Sequence, residues 1–190
     1  MKLLHIDSSI LGEQSASRNV SREIVARWKQ AIPGIAVEHL DLVANELPHL
    51  TGQHLAQMQV AQSRDAQVLA DFLAADVVVI GAPMYNFSVS TQLKSWIDRV
   101  VVAGKTFKYT ATGPQGLVHG KRVIVAISRG GVYPENAPFE HAESYLKIIF
   151  GFIGVTDLTF VRAEGLMLSP DHRQKGLDAA LAAIPVARAA

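Results

Sequence analysis

Apolar runs of strand length recur along the chain, at Lys2 to Ile6, Ile35 to Leu42, Asp76 to Ile80, Arg122 to Ile127 and Val155 to Val161. They are continuous rather than alternating, which suits strands buried on both faces of a parallel sheet. Between them the apolar positions take helical spacing. Helices are predicted over Ser17 to Ile32, Leu55 to Leu73, Thr91 to Val102, Phe139 to Phe152 and Pro170 to Ile184. Pro33-Gly34 ends the first, and Ser169-Pro170 offers a cap and first-turn residue for the last. The resulting β-α alternation implies an α/β fold with five parallel strands and crossover helices on both faces. Two segments fall outside the scheme. Asn45 to Gly52 reads as a loop, and Gly104 to Gly120 as an excursion or hairpin. The Ala-rich end, Ala187 to Ala190, reads as a fraying terminus.

Composition narrows the class. The 190 residues suit one domain, 1–190, with 49% hydrophobic and 18% charged residues and no cysteine. Thiol catalysis, disulfides and cysteine metal sites are excluded. The net charge of +1 argues against nucleic-acid binding. No apolar run approaches the roughly 18 residues of a membrane span, and Asp7 interrupts the first run too early for a signal peptide. The expectation is a cytoplasmic protein without a membrane partner.

Ligands of open α/β sheets bind beyond the carboxyl ends of the strands, so the loops there carry the chemistry. After the first strand come Ser9, Ser15 and Ser17, at the start of a helix. Hydroxyls and free N–H groups at a helix N-terminus make an anion site, though a serine there also serves as a plain cap. Neither a P-loop nor a dinucleotide fingerprint is present. After the third strand, Gly81-Ala82-Pro83 leads into Met84-Tyr85-Asn86-Phe87. Two aromatics, a methionine and an amide in one turn suit a flat heterocycle, apolar on its faces and polar at its edge. For one aromatic alone, core packing is the simpler reading. After the fourth strand, Ser128-Arg129-Gly130-Gly131 lets the backbone approach a ligand closely.

Other chemistries find less support. No G-x-S-x-G elbow accompanies the serines, so a hydrolase built on Ser9 is disfavoured. An electron carrier would be expected to be strongly acidic. No metal site is expected: His49 and His54 are five apart, and no H-E-x-x-H occurs.

The stretches LLHIDSSILGEQSASRNVSREI, GAPMYNFSVSTQLKSWIDRVVVAGKTFKYTATGPQGLVHGK and SRGGVY together resemble the FMN-dependent NADH azoreductase and quinone reductase family, over nearly the whole chain. The resemblance implies a flavodoxin-like three-layer sandwich with strand order 2-1-3-4-5. It implies FMN at the strand ends and a homodimer with active sites at the subunit interface. It matches the family's phosphate-binding positions to Ser9, Ser15, Ala16 and Ser17. The flavin-binding positions match Pro83, Met84, Tyr85, Asn86 and Phe87, then Ser128, Arg129, Gly130 and Gly131. The implied activity is ping-pong transfer of two electrons from NADH or NADPH to quinones, azo compounds or nitroaromatics. The cofactor carries that chemistry, so no catalytic side chain is expected; Asn86, Gly130 and Gly131 are expected to support it with polar groups. Loop placement makes Phe107, Tyr109 and Tyr133 candidate walls of a substrate pocket, with core packing as the alternative.

Overall fold

The computed structural model describes residues 1–57, 63–134 and 137–187, without the side chains of 55–57. The last residues of the fraying terminus, 188–190, therefore lie outside the described residues, as does the middle of the helix expected over Leu55 to Leu73.

In chain order the elements are β1 (Lys2–Asp7), α1 (Ala16–Ala31), β2 (Ala36–Asp41), α2 (Gly52–Gln57), α3 (Arg64–Ala74), β3 (Val77–Tyr85), β4 (Ser88–Val89), α4 (Thr91–Val100), β5 (Phe107–Thr110), β6 (Gly113–Gly116), β7 (Arg122–Ser128), α5 (Ala142–Ile153), β8 (Asp157–Ala163) and α6 (Pro170–Ala182). The parallel strands lie in the order β2-β1-β3-β7-β8. That is the 2-1-3-4-5 order of a flavodoxin-like sheet. The two-residue β4 adds a sixth strand, pairing antiparallel with the end of β3, which the apolar pattern was too short to reveal. The excursion after α4 is the β5–β6 hairpin.

Alternate strand residues sort into two cores. Leu4, Ile6, Val78 and Ile80 pack with Phe72, Trp96 and Phe150 of α3, α4 and α5. Leu3, Val77 and Val79 pack with Ile24 and Trp28 of α1 and Ala180 of α6. Both faces of the central strands are thus covered, as their continuous apolar runs require. Serine caps set several helix starts: Ser15, Ser63, Ser90 and Ser169 each accept an N–H from the first turn of α1, α3, α4 and α6. Ser63 therefore divides the expected Leu55 to Leu73 helix, because a capping residue in extended conformation starts a new helix instead of continuing one. Helix α5 begins at Ala142 rather than Phe139 and ends on Gly154 at φ 102°, a left-handed cap that glycine adopts without penalty.

Candidate functional site

β1, β3 and β7 are neighbours, so the loops that leave them meet at one sheet edge. The first loop is drawn against the third strand. Ser8 donates to the Gly81 carbonyl through both its N–H (3.2 Å) and its hydroxyl (2.8 Å). Ser9 Oγ lies 3.1 Å from Tyr85 Oη, and the Ile10 N–H donates to the same phenol oxygen at 3.3 Å. Ser15 Oγ caps α1 and lies 3.1 Å from Ser17 Oγ. The N–H groups of Ala16 and Ser17, in the first turn of α1, have no acceptor within the helix. The loop and helix start thus offer three buried hydroxyls and the positive end of a 16-residue helix.

Arg18 holds this loop from behind. Its Nε and Nη2 donate to the Ser9 carbonyl at 3.1 and 2.8 Å, while Nη1 and Nη2 form a two-pronged pair with Asp41 at 2.6 and 2.8 Å. The guanidinium is buried, and its hydrogen bonds hold the Asp41 carboxyl at about 2. Arg18 thus sets the Ser9 backbone and is spent on that task; it is not available as a free cation for a ligand.

The second loop is a tight hairpin between β3 and β4. Asn86 (φ 48°) and Phe87 (φ 68°) both occupy the left-handed region. For asparagine this costs little, but for phenylalanine it is an outlier of the kind that accumulates at ligand sites. The turn is held from outside, since the His141 N–H donates to the Phe87 carbonyl at 2.8 Å. Phe87, 48% exposed, meets the Phe139 ring edge-on at 5.9 Å, and Phe139 meets Tyr133 at 5.9 Å. Phe139 belongs to this aromatic group although the helical pattern had absorbed it; its position after Pro138, before the helix cap, was the available signal.

The third loop presents bare backbone. The Gly130 and Gly131 carbonyls accept from Met167 and Gly165, both at 2.9 Å, whereas among the described residues neither glycine N–H has a partner. Arg129 turns away from the loop surface into acid groups, 2.7 Å from Glu143, 3.0 Å from Glu164 and 3.3 Å from Glu140. Its Nε is buried without a partner among the described residues. Burial would push Glu143 up, but hydrogen bonds from Arg162 and Lys147 hold its carboxyl at about 2. Beside Arg129 opens a cavity of about 300 Å³, lined among others by Tyr133, Ala137, His141 and Lys147.

The structure therefore brings Ser9, Ser15, Ala16, Ser17, Pro83 to Phe87, Ser128 to Gly131 and Tyr133 to one edge. Phe107 and Tyr109 are not there. They sit on the β5–β6 hairpin, where Phe107 packs on Phe152 near the C-terminus of α5, at the opposite edge of the sheet. Phe107 is buried in that packing, while Tyr109 is 76% exposed.

Fold and strand order together define a flavodoxin-like α/β protein. Residues 1–185 match the family of flavodoxin-like fold, and the chain belongs to it. It is 55% identical to FMN-dependent NADH:quinone oxidoreductase 2 of Bradyrhizobium diazoefficiens, over 100% of both chains. It is 53% identical to the FMN-dependent NADH:quinone oxidoreductase of Stenotrophomonas maltophilia, over 97% of this chain and 95% of that one. Among solved structures, the azoreductase of Bacillus anthracis Sterne is 32% identical with a TM-score of 0.86, covering 96% of this chain and 95% of its own. An FMN-dependent NADH-azoreductase of Bacillus anthracis, solved in complex with FMN, is 28% identical with a TM-score of 0.83 over 96% and 97% of the chains. Among the described residues no helix is long and apolar enough to cross a membrane.

Proposed function

We propose that this protein is a cytoplasmic FMN-dependent NADH:quinone oxidoreductase that also reduces azo compounds and nitroaromatics. The observation that carries the reading is the convergence of three loops, each complementary to a different part of one cofactor. Ser9, Ser15, Ser17 and the first-turn N–H groups of α1 suit a phosphate. Met84, Tyr85 and Phe87 suit the faces of a ring system, and Pro83, still in β3 and paired with Ser128 of β7, fixes the backbone that leads to them. Asn86 and the unpartnered Gly130 and Gly131 N–H groups suit its polar edge. The names of the relatives at 53–55% identity agree with this reading.

The chemistry that FMN supplies when bound is two-electron hydride transfer, from NADH and then to the acceptor, in ping-pong order. The chain's task is to bind and orient. Ser15 and Ser17, whose hydroxyls lie 3.1 Å apart, would turn them to phosphate oxygens, while the Tyr85 hydroxyl keeps Ser9 and the Ile10 N–H in place. The Gly130 and Gly131 N–H groups, without partners among the described residues, would offer preformed dipoles to the polar edge of a bound ring. Arg18 holds the Ser9 backbone, and the Arg129 side chain is anchored on Glu143. A homodimer with its sites at the interface gives Tyr109 a place: exposed at the far edge of its own sheet, it is available only to the site of a second copy.

The test is the visible spectrum of the purified protein, with FMN added if it emerges colourless. A flavin band that bleaches with NADH, and returns with a quinone or an azo dye, is the expected result. A protein that stays colourless with added FMN overturns the reading.

A further inference from the structure

One group of side chains beside the cofactor edge has no part in the function above. His5 and Asp7 lie two apart on β1 and so share the face toward α1, and His39 of β2 is the register partner of His5. The two imidazoles stack with centroids 4.6 Å apart. His39 Nε2 lies 3.0 Å from one Asp7 carboxylate oxygen, and His5 Nε2 lies 3.5 Å from the other. All three ligand atoms fall within 4.8 Å of one another. His5 and Asp7 are buried, while the His39 side chain is 50% exposed.

We propose that His5, Asp7 and His39 form a binding site for one divalent transition-metal ion of the zinc or copper type, entered past His39. The donor set is two imidazole nitrogens and a carboxylate, which suits these ions and is poorly suited to calcium or magnesium. Bonds of 2.0–2.1 Å in a tetrahedral site place neighbouring ligands about 3.3 Å apart; His39 Nε2 lies 3.0 Å from Asp7 Oδ2 and His5 Nε2 3.5 Å from Oδ1, so the carboxylate turns one oxygen to each imidazole at about that range. The two imidazole nitrogens lie within 4.8 Å of each other, and His39, half exposed, is the ligand with room to close that edge. The carboxylate is already oriented: Ser21 Oγ donates to it at 2.9 Å, the outer-shell support that metal-binding carboxylates use. Room for it is built into the sheet as well, since a Cβ on Gly81 would lie 2.6 Å from the same Asp7 oxygen.

The experiment is competition for Zn²⁺ between the FMN-loaded protein and a chromogenic chelator, paired with electron paramagnetic resonance of the Cu²⁺-loaded protein. One equivalent per chain is expected, with nitrogen couplings from two imidazoles. His39→Ala is expected to weaken binding at least tenfold, and His54→Ala to leave it unchanged. His39 is half exposed, so its removal spares the fold, which circular dichroism verifies; Asp7→Asn provides the second ligand test. Zn²⁺ affinity equal in His39→Ala and the parent, loss of binding in His54→Ala instead, or no binding at micromolar metal overturns the proposal. None of these readouts depends on catalytic activity.

Discussion

The Tyr85 hydroxyl lies 3.1 Å from Ser9 Oγ and also accepts the Ile10 N–H, so one phenol ties the candidate phosphate loop to the candidate ring-binding turn. Removing it in Tyr85→Phe leaves the ring face intact and cuts the tie. A net hydrogen bond contributes about 1 kcal/mol. FMN affinity is expected to fall roughly three- to tenfold on that basis, while riboflavin, which lacks the phosphate, binds nearly as before. Fluorescence titration with both ligands separates the cases. Equal losses for the two would place the effect on the ring and not on the loop.

Arg18 gives a stronger effect through the same loop. Its charge is buried between the Ser9 carbonyl and Asp41. Asp41→Ala strands that charge. Breaking a buried pair costs about 3–5 kcal/mol, and partial exposure of Asp41 lowers the expected loss to about 2 kcal/mol. A urea midpoint unchanged by Asp41→Ala would contradict this account.

Acid should act on the same pair and on Glu143. Both carboxyls titrate at about 2 in the folded protein, against about 3.9 and 4.3 when unfolded. A depressed folded value means the stabilisation is complete above the unfolded value and is lost as pH falls towards the folded one. The urea midpoint is therefore expected to be flat from about pH 7 to 5 and to drop between about pH 4.3 and 2. Asp41→Asn should remove part of that slope. A midpoint that stays level down to about pH 2.5 refutes the assignment.

The Asn86–Phe87 turn predicts a trade between stability and function. Phe87 holds a φ of 68°, a conformation that costs a bulky residue about 1–3 kcal/mol. Phe87→Gly relieves that cost and also removes the ring at Phe139. Thermal stability should therefore change little or rise, while quinone turnover and FMN retention both fall. A variant that melts well below the parent would show that the turn is not strained.

What the sequence made legible follows from how local each signal is. The five parallel strands were readable because burial on both faces leaves a run such as Val77-Val78-Val79-Ile80 without a polar interruption. The Ser15 cap was readable because adjacent residues carry it; the turn expected over Met84 to Phe87 is only Asn86-Phe87, because β3 runs on past Ile80 to Tyr85 where Met84 and Tyr85 pair with β4. β4 was not readable, since two residues paired by a hairpin have no periodicity. The role of Arg18 was not legible: its bond to Asp41 spans 23 positions, and no spacing rule joins them. The same holds for Phe107, whose placement depends on packing against Phe152 and not on loop composition. The stacked His5–His39 pair arises from strand register, which sequence patterns do not number.

Gly81 tests whether strand, loop and histidine pair act as one unit. It sits in β3 between β1 and β7, where a buried strand would ordinarily carry a branched side chain. A Cβ there would meet Asp7 Oδ1 at 2.6 Å, Ser21 Oγ at 3.2 Å and the Ser17 carbonyl at 3.3 Å. Its own carbonyl receives both bonds from Ser8. Gly81→Ala must therefore displace either the Asp7 carboxylate or the start of α1, and overpacking of this kind costs about 1–3 kcal/mol. Shortening the obstructing side chain restores the space, so Gly81→Ala/Asp7→Ala should be less destabilised than the sum of the two single variants. A coupling of about 1 kcal/mol or more in a double-mutant cycle is expected for residues in such contact. The direction of that coupling also locates the displacement. If the carboxylate yields, FMN affinity is preserved in Gly81→Ala and the cycle shows strong coupling. If α1 yields, the Ser15–Ser17 hydroxyl pair moves, FMN affinity falls, and Asp7→Ala rescues neither stability nor binding.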